Sequence, residues 1–541
     1  MNPRNLYSVI SAALISLILT SVVMNFSLKQ GKLAMPPWYD DSHSMVEGAL
    51  RLMTFQQDGL IAAWEEYWNR FPHSFLHYYW TALVFSVAGI HDSAPYWANS
   101  LFIFLILICV WALLENIGFI QKIFLTSAFA CVPVMFNIVY DYRSECALAP
   151  LLFAACAMVV LAVTTPRAKW LYLSLSGLFF ALGFGFKPAM FPYTFGMLGA
   201  ACLTWIVFHC PDKVEGSSTI WEWLNQKIVP VVFICVIAIG PFLFHYIHFS
   251  GPIIGYIKFN AFENDFYKQS GGLWERASYH LSGYPAILNL GIFKKPLLII
   301  AFSGLVATLI FRKSGNPILT KNLHCLIFLT VISYFGIAIN QMVQNYFCMT
   351  FVLLLVASAS IAVAWAGSLF RWQISVIATC LIFLTAIYLW RVPAGQAYVN
   401  ETNKSGSDAL EWRKNAPYQV LSLILQETEP CNRPEIWVGA HGWLDGNTIS
   451  WAALVKGIKI RAFSYYEKAV PEDNVPPDGM DFVILYPKET MGICDLPLNK
   501  SISDMMNRVK SMSESWKQVA KVSDPYGNKV LIFKNINPIR K

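Results

Sequence analysis

Charged side chains are scarce in this sequence. Asp, Glu, Lys and Arg make up 13% of its 541 residues, whereas soluble domains average about 25%. Hydrophobic residues make up 56% of the chain, and apolar runs long enough to cross a bilayer recur along it. This composition excludes an ordinary soluble protein and predicts a polytopic α-helical membrane protein.

Several familiar binding motifs are also missing. The polar part of the sequence has no Gly-rich phosphate loop, and His43, His73 and His77 are too loosely spaced for a zinc site. We therefore expect that no metal is required, although a divalent cation remains compatible with the sequence. The formal charge of +7 is modest and is spread over short loops and the tail, which argues against a nucleic-acid partner.

The apolar runs predict eleven transmembrane helices. The first run resembles a signal peptide, but it is too long for one and no small-residue cleavage site follows it. The predicted spans are residues 6–28, 96–116, 120–140, 144–163, 170–187, 189–209, 228–250, 297–311, 323–341, 346–367 and 373–390.

The basic residues of the short loops predict the orientation, because Lys and Arg favour the cytoplasmic side. They share one side only if the short aromatic segment 74–90 does not cross the membrane, so we predict a re-entrant or interfacial helix there. The N-terminus then lies in the cytoplasm and the tail outside; if 74–90 does cross, another span is wrong. These basic residues are Arg4, Lys122, Arg167, Lys169, Lys213, Arg312, Lys313 and Arg371.

Residues 42–71 combine apolar and charged residues at helical spacing. Met45, Ala49 and Met53 fall on one helix face, and the pattern breaks at Gln57-Asp58-Gly59. We predict two amphipathic helices in the membrane interface, with ordinary loop structure as the alternative. Together with 74–90 they form a first outer loop, residues 42–90.

The composition becomes polar from about residue 395. We therefore predict a transmembrane domain over 1–394 and a small α/β domain outside the membrane over 395–541. A structural or acceptor-docking role of this domain and a catalytic one are both compatible with the sequence. Cys431 and Cys494 of this domain can pair if the compartment is oxidising. The predicted strands are 435–438, 458–463, 480–486, 516–522 and 529–533, and the predicted helices are 408–426 and 501–513.

Two adjacent carboxylates, Asp40 and Asp41, follow the first span. Acids beside a bilayer lose hydration, so they usually have a function or a water-filled cavity. Because neighbouring carboxylates repel each other, one of the two is a candidate general base. The alternative is a pair of solvated loop charges.

Further charged residues are predicted on the same outer side. Glu145 and Asp141 can hold an acceptor or assist the base, whereas Arg143 and Lys187 suit a phosphate group. The alternatives are a local salt bridge between Arg143 and Glu145, and a Lys187 that only reaches towards the lipid headgroups.

Together these motifs resemble the GT-C superfamily of membrane glycosyltransferases, in particular the protein O-mannosyltransferases and the aminoarabinose transferases of lipid A. The resemblance covers residues 1–390 and, more weakly, the tail, and it rests on the order of short motifs. The motifs are Tyr39-Asp40-Asp41, Phe71-Pro72-His73 with Tyr78-Tyr79-Trp80, Tyr142-Arg143-Ser144-Glu145, Gly183-Phe184-Gly185-Phe186-Lys187-Pro188 and Asn345-Tyr346-Phe347.

The resemblance implies a GT-C type fold and a sugar donor linked to polyprenyl phosphate. It also implies a bacterial inner-membrane enzyme whose active site and tail face the periplasm. By position it makes Asp40 the general base, Asp41 the acid that follows it, Glu145 the acid of the second loop, and Lys187 a contact of the donor phosphate.

We expect further substrate contacts from Arg143, His43, His73 and Tyr346. The sequence departs from the family pattern because Asp41 replaces a more usual Glu. The pair Gln344-Asn345 also lacks the expected basic residue, which leaves more of the phosphate binding to Lys187 and Arg143.

Three functions are compatible with the sequence. The first is an inverting glycosyltransferase that acts on a glycan, lipid or protein acceptor in contact with membrane lipids. The second is a flippase or transporter of lipid-linked sugars, and the third is a glycan-binding or assembly protein without activity. Transporters often have charges near the middle of the bilayer and internal repeats. The sequence has few charges inside its spans and no clear repeat, so we favour the transferase.

Overall fold

The computed structural model comprises two compact units, which are defined here as the helical unit (1–24, 67–77 and 96–397) and the mixed unit (25–66, 78–95 and 398–541). The structure describes residues 3–30, 32–34, 39–69, 74–115, 117–209, 220–258, 272–282, 290–311, 315–339, 348–370, 411–412, 414–428, 434–439, 444–460, 462–464, 479–485, 507, 509–512, 514–523 and 529–537.

Helices dominate the part of the chain before the tail. In chain order they are α1 Pro3–Gln30, α2 Tyr39–Asn69, α3 Phe75–Ala88, α4 Ala94–Ala98, α5 Ser100–Leu113, α6 Phe119–Ala130, α7 Pro133–Tyr140, α8 Ser144–Thr164, α9 Lys169–Phe186, α10 Phe191–Phe208, α11 Ile220–Ile239, α12 Leu243–His248, α13 Ser250–Lys258, α14 Leu273–Ser282, α15 Leu290–Ile310, α16 Pro317–Ile339 and α17 Met349–Phe370.

Within the described residues, eight helical segments are long and apolar enough to cross a membrane, and a bent pair makes a ninth. Ten of the eleven predicted spans coincide with a helix, but the apolar part of the helix at 297–311 is too short to qualify. The remaining predicted span, 373–390, lies outside the described residues. The prediction of a polytopic helical membrane protein is therefore confirmed, with α8 as the buried central helix of the helical unit.

The predicted span 120–140 is broken into α6 and α7, which meet at a 60° bend. Pro133 begins α7, and proline has no backbone N–H with which to continue a preceding helix. The sequence contained this signal, although the apolar run alone indicated one continuous helix.

The aromatic segment 74–90 forms the helix α3, which has 14 residues. At 1.5 Å per residue this helix is about 21 Å long, shorter than the hydrocarbon core of about 30 Å. That length agrees with a helix that does not cross the membrane, and its re-entrant or interfacial position stays a prediction.

The helix α2 changes direction at Gly59, whose φ of 86° lies outside the helical region. The predicted break at this position is therefore present. Up to Thr54 the helix is buried on nearly every side, whereas Leu60 and Ile61 after the break are 70% and 76% exposed. The first part thus differs from the predicted one-sided amphipathic helix, because protein covers its polar face as well.

A close helix–helix contact explains part of this burial. A Cβ atom at Gly48 of α2 would overlap the side chain of Thr81 in α3. Glycine is therefore required for α2 and α3 to approach each other this closely.

The tail contributes a five-stranded sheet to the described part of the mixed unit. Each of the five predicted strands overlaps an observed one, although the second begins only at Ala462 instead of Ile458. The spatial order is β2-β1-β3-β5-β4. The strand β1 pairs in parallel with β2 and β3, and β5 pairs antiparallel with β3 and β4. The elements are β1 Ile436–Gly439, β2 Ala462–Ser464, β3 Phe482–Leu485, β4 Trp516–Ser523 and β5 Lys529–Asn535, with the helices α18 (414–426) and α19 (Gly446–Val455).

The sheet is apolar on both faces. Along β1, Ile436 and Val438 face one buried cluster that includes α18 and α19, and Trp437 faces the other. This alternation follows from the two-residue period of a strand. The C-terminal α/β fold is thereby confirmed, whereas its domain boundaries and its place outside the membrane stay predictions.

A partly buried carboxylate lies in the turn before α4. Asp92 accepts a hydrogen bond of 2.7 Å from the indole N–H of Trp451 in α19, and the Trp451 ring packs 5.6 Å from that of Phe85. Burial raises the pKa of Asp92 above its usual value, and the hydrogen bond from Trp451 offsets only part of this shift. Burial and the neighbouring Asp92 also raise the pKa of Tyr418 to about 12.

Replacing Asp92 by Asn is expected to increase stability, and increasingly so as the pH rises. A raised pKa means that the folded state holds the proton more tightly than the unfolded state. The penalty for ionising Asp92 is therefore absent below about pH 4 and grows as the pH rises through the folded-state pKa. Thermal unfolding from pH 4 to 8 measures this, with Asp58→Asn as an exposed control. A difference between Asp92→Asn and the wild type that is independent of pH would contradict the burial argument.

Candidate active site

Glu145 and Lys187 form an ion pair inside the helical unit. Lys187 Nζ lies 3.1 Å from Glu145 Oε1, and both side chains are nearly buried. Ser144 donates a hydrogen bond of 3.2 Å to the other oxygen of the carboxylate, and Arg143 also interacts with it electrostatically. These residues are called the α8–α9 cluster below.

Two glycines explain how the ends of α8 and α9 meet. A Cβ atom at Gly183 would lie 3.3 Å from Leu148 and Leu152 of α8, and one at Gly185 would lie 2.9 Å from Phe242. The absence of side chains here lets α9 pack tightly against its neighbours. The Gly-rich motif thereby delivers Lys187, the residue that follows α9, to the start of α8.

The helix ends also suit the two charges. Glu145 lies in the first turn of α8, where the helix dipole stabilises a negative charge, and Lys187 is the C-cap of α9, where it stabilises a positive one. The pair is therefore favoured locally as well as by its mutual attraction.

Aromatic rings adjoin the α8–α9 cluster. His77 of α3 lies 4.7 Å from the ring of Tyr142 and 5.9 Å from that of Phe186, and Tyr142 also contacts Tyr96. Tyr142 precedes α8 and Phe186 ends α9, so these rings surround the segments that carry the charges. The rings of Tyr142 and Tyr96 are fully buried and that of Phe186 is 5% exposed, so these rings pack the segments that carry the two charges.

The second group of candidate residues lies in the mixed unit, at the start of α2. Asp41 is fully buried, and its Oδ2 lies 2.6 Å from Nζ of Lys32, which is 4% exposed. His43 Nε2 lies 3.1 Å from the hydroxyl of Tyr78 in α3. These four residues are called the α2 cluster below.

A second ion pair continues this group along α2. Arg51 donates a hydrogen bond of 2.6 Å to Glu47, one turn before it, and both are buried. The guanidinium of Arg51 also lies over the rings of Tyr78 and Tyr79, at 4.8 and 5.9 Å. This pair fixes α3 against α2 by charge and cation–π contacts.

Some predicted site residues are described only in part. Asp40 lies in the first turn of α2, where the structure describes the backbone. His73 and Tyr346 lie outside the described residues. Asp141 is buried beside Asn99, whose amide donates a hydrogen bond of 3.1 Å to the Asp141 carbonyl. Within the described part of the chain, no group of three His, Cys, Asp or Glu side chains is arranged to hold a metal ion.

Sequence reasoning missed Lys32 and gave no role to Tyr78. Lys32 did carry a signal, because a basic residue directly after the first span lies on the predicted outer side, against the positive-inside rule. Lys187 also lies on the predicted outer side, so it departs from the positive-inside rule in the same way. In the structure each of these lysines pairs with a carboxylate near a helix N-terminus.

Two comparisons with known sequences bear on these clusters. A family model described as dolichyl-phosphate-mannose-protein mannosyltransferase matches residues 72–239, a segment that contains the whole α8–α9 cluster. No curated protein sequence matches the chain significantly.

Solved structures similar to this chain include the two that follow. ArnT from Cupriavidus metallidurans, bound to undecaprenyl phosphate, matches with a TM-score of 0.53 and 12% identity over 97% of each chain. Oligosaccharyltransferase AglB from Archaeoglobus fulgidus matches with a TM-score of 0.48 and 11% identity over 98% of this chain and 74% of its own. A TM-score below 0.5 does not assign a fold, so the architecture rests on the first match. The family match and the ArnT-like architecture confirm that this integral membrane protein resembles the GT-C membrane glycosyltransferases and has their fold.

Proposed function

We propose that the chain is an inverting glycosyltransferase that moves one sugar from a polyprenyl-phosphate donor to a glycan, lipid or protein acceptor. The observation that carries this proposal is the nearly buried Glu145–Lys187 pair at the meeting ends of α8 and α9, inside the segment that the mannosyltransferase model matches. A lysine held at a helix end by a carboxylate suits the phosphate of a lipid-linked sugar.

In the proposed reaction, Asp40 takes the proton of the acceptor hydroxyl or amine. The acceptor oxygen or nitrogen attacks C1 of the sugar while the bond from C1 to the phosphate oxygen breaks, so the anomeric configuration inverts. Polyprenyl phosphate leaves with the electron pair of that bond, and Lys187 stabilises the negative charge that develops on it. A monophosphate leaving group carries less charge than a diphosphate, so no metal is demanded.

The proposed setting is the bacterial inner membrane, with the reacting groups and the C-terminal domain facing the periplasm. The basic residues of the predicted short loops support this orientation through the positive-inside rule. ArnT was crystallised with undecaprenyl phosphate, which supports a polyprenyl-phosphate donor for this chain as well.

Mass spectrometry of the cell-envelope glycans tests the proposal. A strain that lacks the chain should lose one sugar residue from a glycan, lipid or protein, and the wild-type gene should restore it. An unchanged set of envelope glycans in that strain would refute the proposed function.

A further inference from the structure

Asp41, the second of the two adjacent carboxylates, forms a buried ion pair with Lys32. The ion pair is 2.6 Å long, Asp41 is 0% exposed and Lys32 is 4% exposed. A carboxylate that is buried and bonded to a buried ammonium group is held ionised and fixed in place, because separating the pair would leave an uncompensated buried charge.

The backbone around Lys32 is anchored as well. Lys32 begins a short 3-10 turn, Lys32–Ala34. The next residue, Leu33, is buried and donates its backbone N–H to the hydroxyl of Ser27 near the end of α1, at 3.2 Å. The ammonium group therefore reaches Asp41 from a fixed turn rather than from a flexible loop.

The other charged groups near the start of α2 have partners of their own. Glu47 and Arg51 pair with each other, and His43 is hydrogen-bonded to Tyr78 of α3. Arg51 also faces the rings of Tyr78 and Tyr79. Asp41 is bonded to Lys32.

We propose that Lys32 is a positioning residue that binds Asp41 and so fixes the first turn of α2, the turn that carries Asp40, the general base of the proposed function. This inference rests on the proposed function. Lys32 acts through Asp41, so it contacts neither the donor nor the acceptor. Lys32 sets the direction of the backbone that carries Asp40, and its positive charge compensates the negative charge of the neighbouring Asp41.

The test uses the full-length protein in nanodiscs. The donor is the total polyprenyl-phosphate lipid extract of the producing strain, and the acceptor is the envelope fraction of a strain that lacks the chain. Release of polyprenyl phosphate gives kcat and KM between pH 5 and 9 for the wild type, Lys32→Met, Lys32→Arg and Asp41→Asn. The matched control is Lys459→Met, which removes a partly exposed lysine from its ion pair with the half-exposed Asp58.

Lys32→Met is expected to lower kcat on the order of 100-fold, the effect of a displacement of about 1 Å at a reacting group, with little change in KM for the donor. Lys32→Arg should recover most of the activity, and Lys459→Met should match the wild type. The acid limb of the pH profile of kcat/KM should move to higher pH in Lys32→Met, because the uncompensated charge of Asp41 makes Asp40 harder to deprotonate. It should move to lower pH in Asp41→Asn, where the positive charge of Lys32 remains.

Opposite shifts of the acid limb support the inference, because a structural role alone would not move it. Wild-type kcat and an unshifted profile in Lys32→Met overturn the inference and leave the proposed function intact. If Lys32→Met does not fold, the pH profiles of Lys32→Arg and Asp41→Asn are compared instead. An acid limb that is unshifted in Asp41→Asn then overturns the inference. No release of polyprenyl phosphate by the wild type overturns the proposed function and this inference with it.

Discussion

Asp40→Asn is expected to reduce sugar transfer by about 10²- to 10⁴-fold, the usual contribution of a general base. The amide has nearly the same shape as the carboxylate but cannot take the proton of the acceptor. Donor binding should persist, so KM for the donor should change little while kcat falls. Initial rates of polyprenyl phosphate release in nanodiscs measure this effect.

The same helix offers the control for this variant. Asp58 lies later in α2 and is half-exposed, with Lys459 as its partner. Exposed ion pairs contribute little to stability, so Asp58→Asn should retain wild-type rates and insertion. Full activity in Asp40→Asn would remove Asp40 from the mechanism, and equal losses in both variants would point to damaged folding instead.

Lys187→Met is expected to lower kcat by about 10²- to 10³-fold, because it removes the cation that we propose stabilises the leaving phosphate. It also leaves Glu145 in its nearly buried site without the lysine that the structure places 3.1 Å away, so the unfolding temperature should fall as well. A single variant therefore combines a structural and a catalytic loss.

The double variant Lys187→Met/Glu145→Gln separates these two losses. It removes both charges, so stability should recover towards that of the wild type, whereas transfer should stay as low as in Lys187→Met. Lys169→Met, at the opposite end of α9, is the matched control and should be active. If transfer recovers together with stability in the double variant, Lys187 is a structural residue and the assigned phosphate contact is wrong.

Local patterns in the sequence predicted much of the fold. The β-branched and aromatic runs identified every strand of the sheet, and the apolar runs identified most of the helices. The bend between α6 and α7 was missed because the apolar run hid the effect of Pro133.

The pairings within the candidate site depended on distant parts of the chain. The sequence offered Arg143 as a local partner of Glu145 and gave Lys187 no carboxylate partner. The contact between Lys187 and Glu145 forms because Gly183 lets α9 approach α8. Lys32 was overlooked since its partnership with Asp41 depends on a turn that folds back from α1. In both cases a lysine on the predicted outer side was the available signal, and only the packing identified its partner.

Reconstitution of the purified protein with a polyprenyl-phosphate sugar tests the central claim most directly. Wild-type protein in sealed vesicles should convert the donor to free polyprenyl phosphate as the sugar appears on the acceptor, and Asp40→Asn should do neither. Movement of the intact donor across the bilayer without cleavage would contradict the claim and identify a flippase instead.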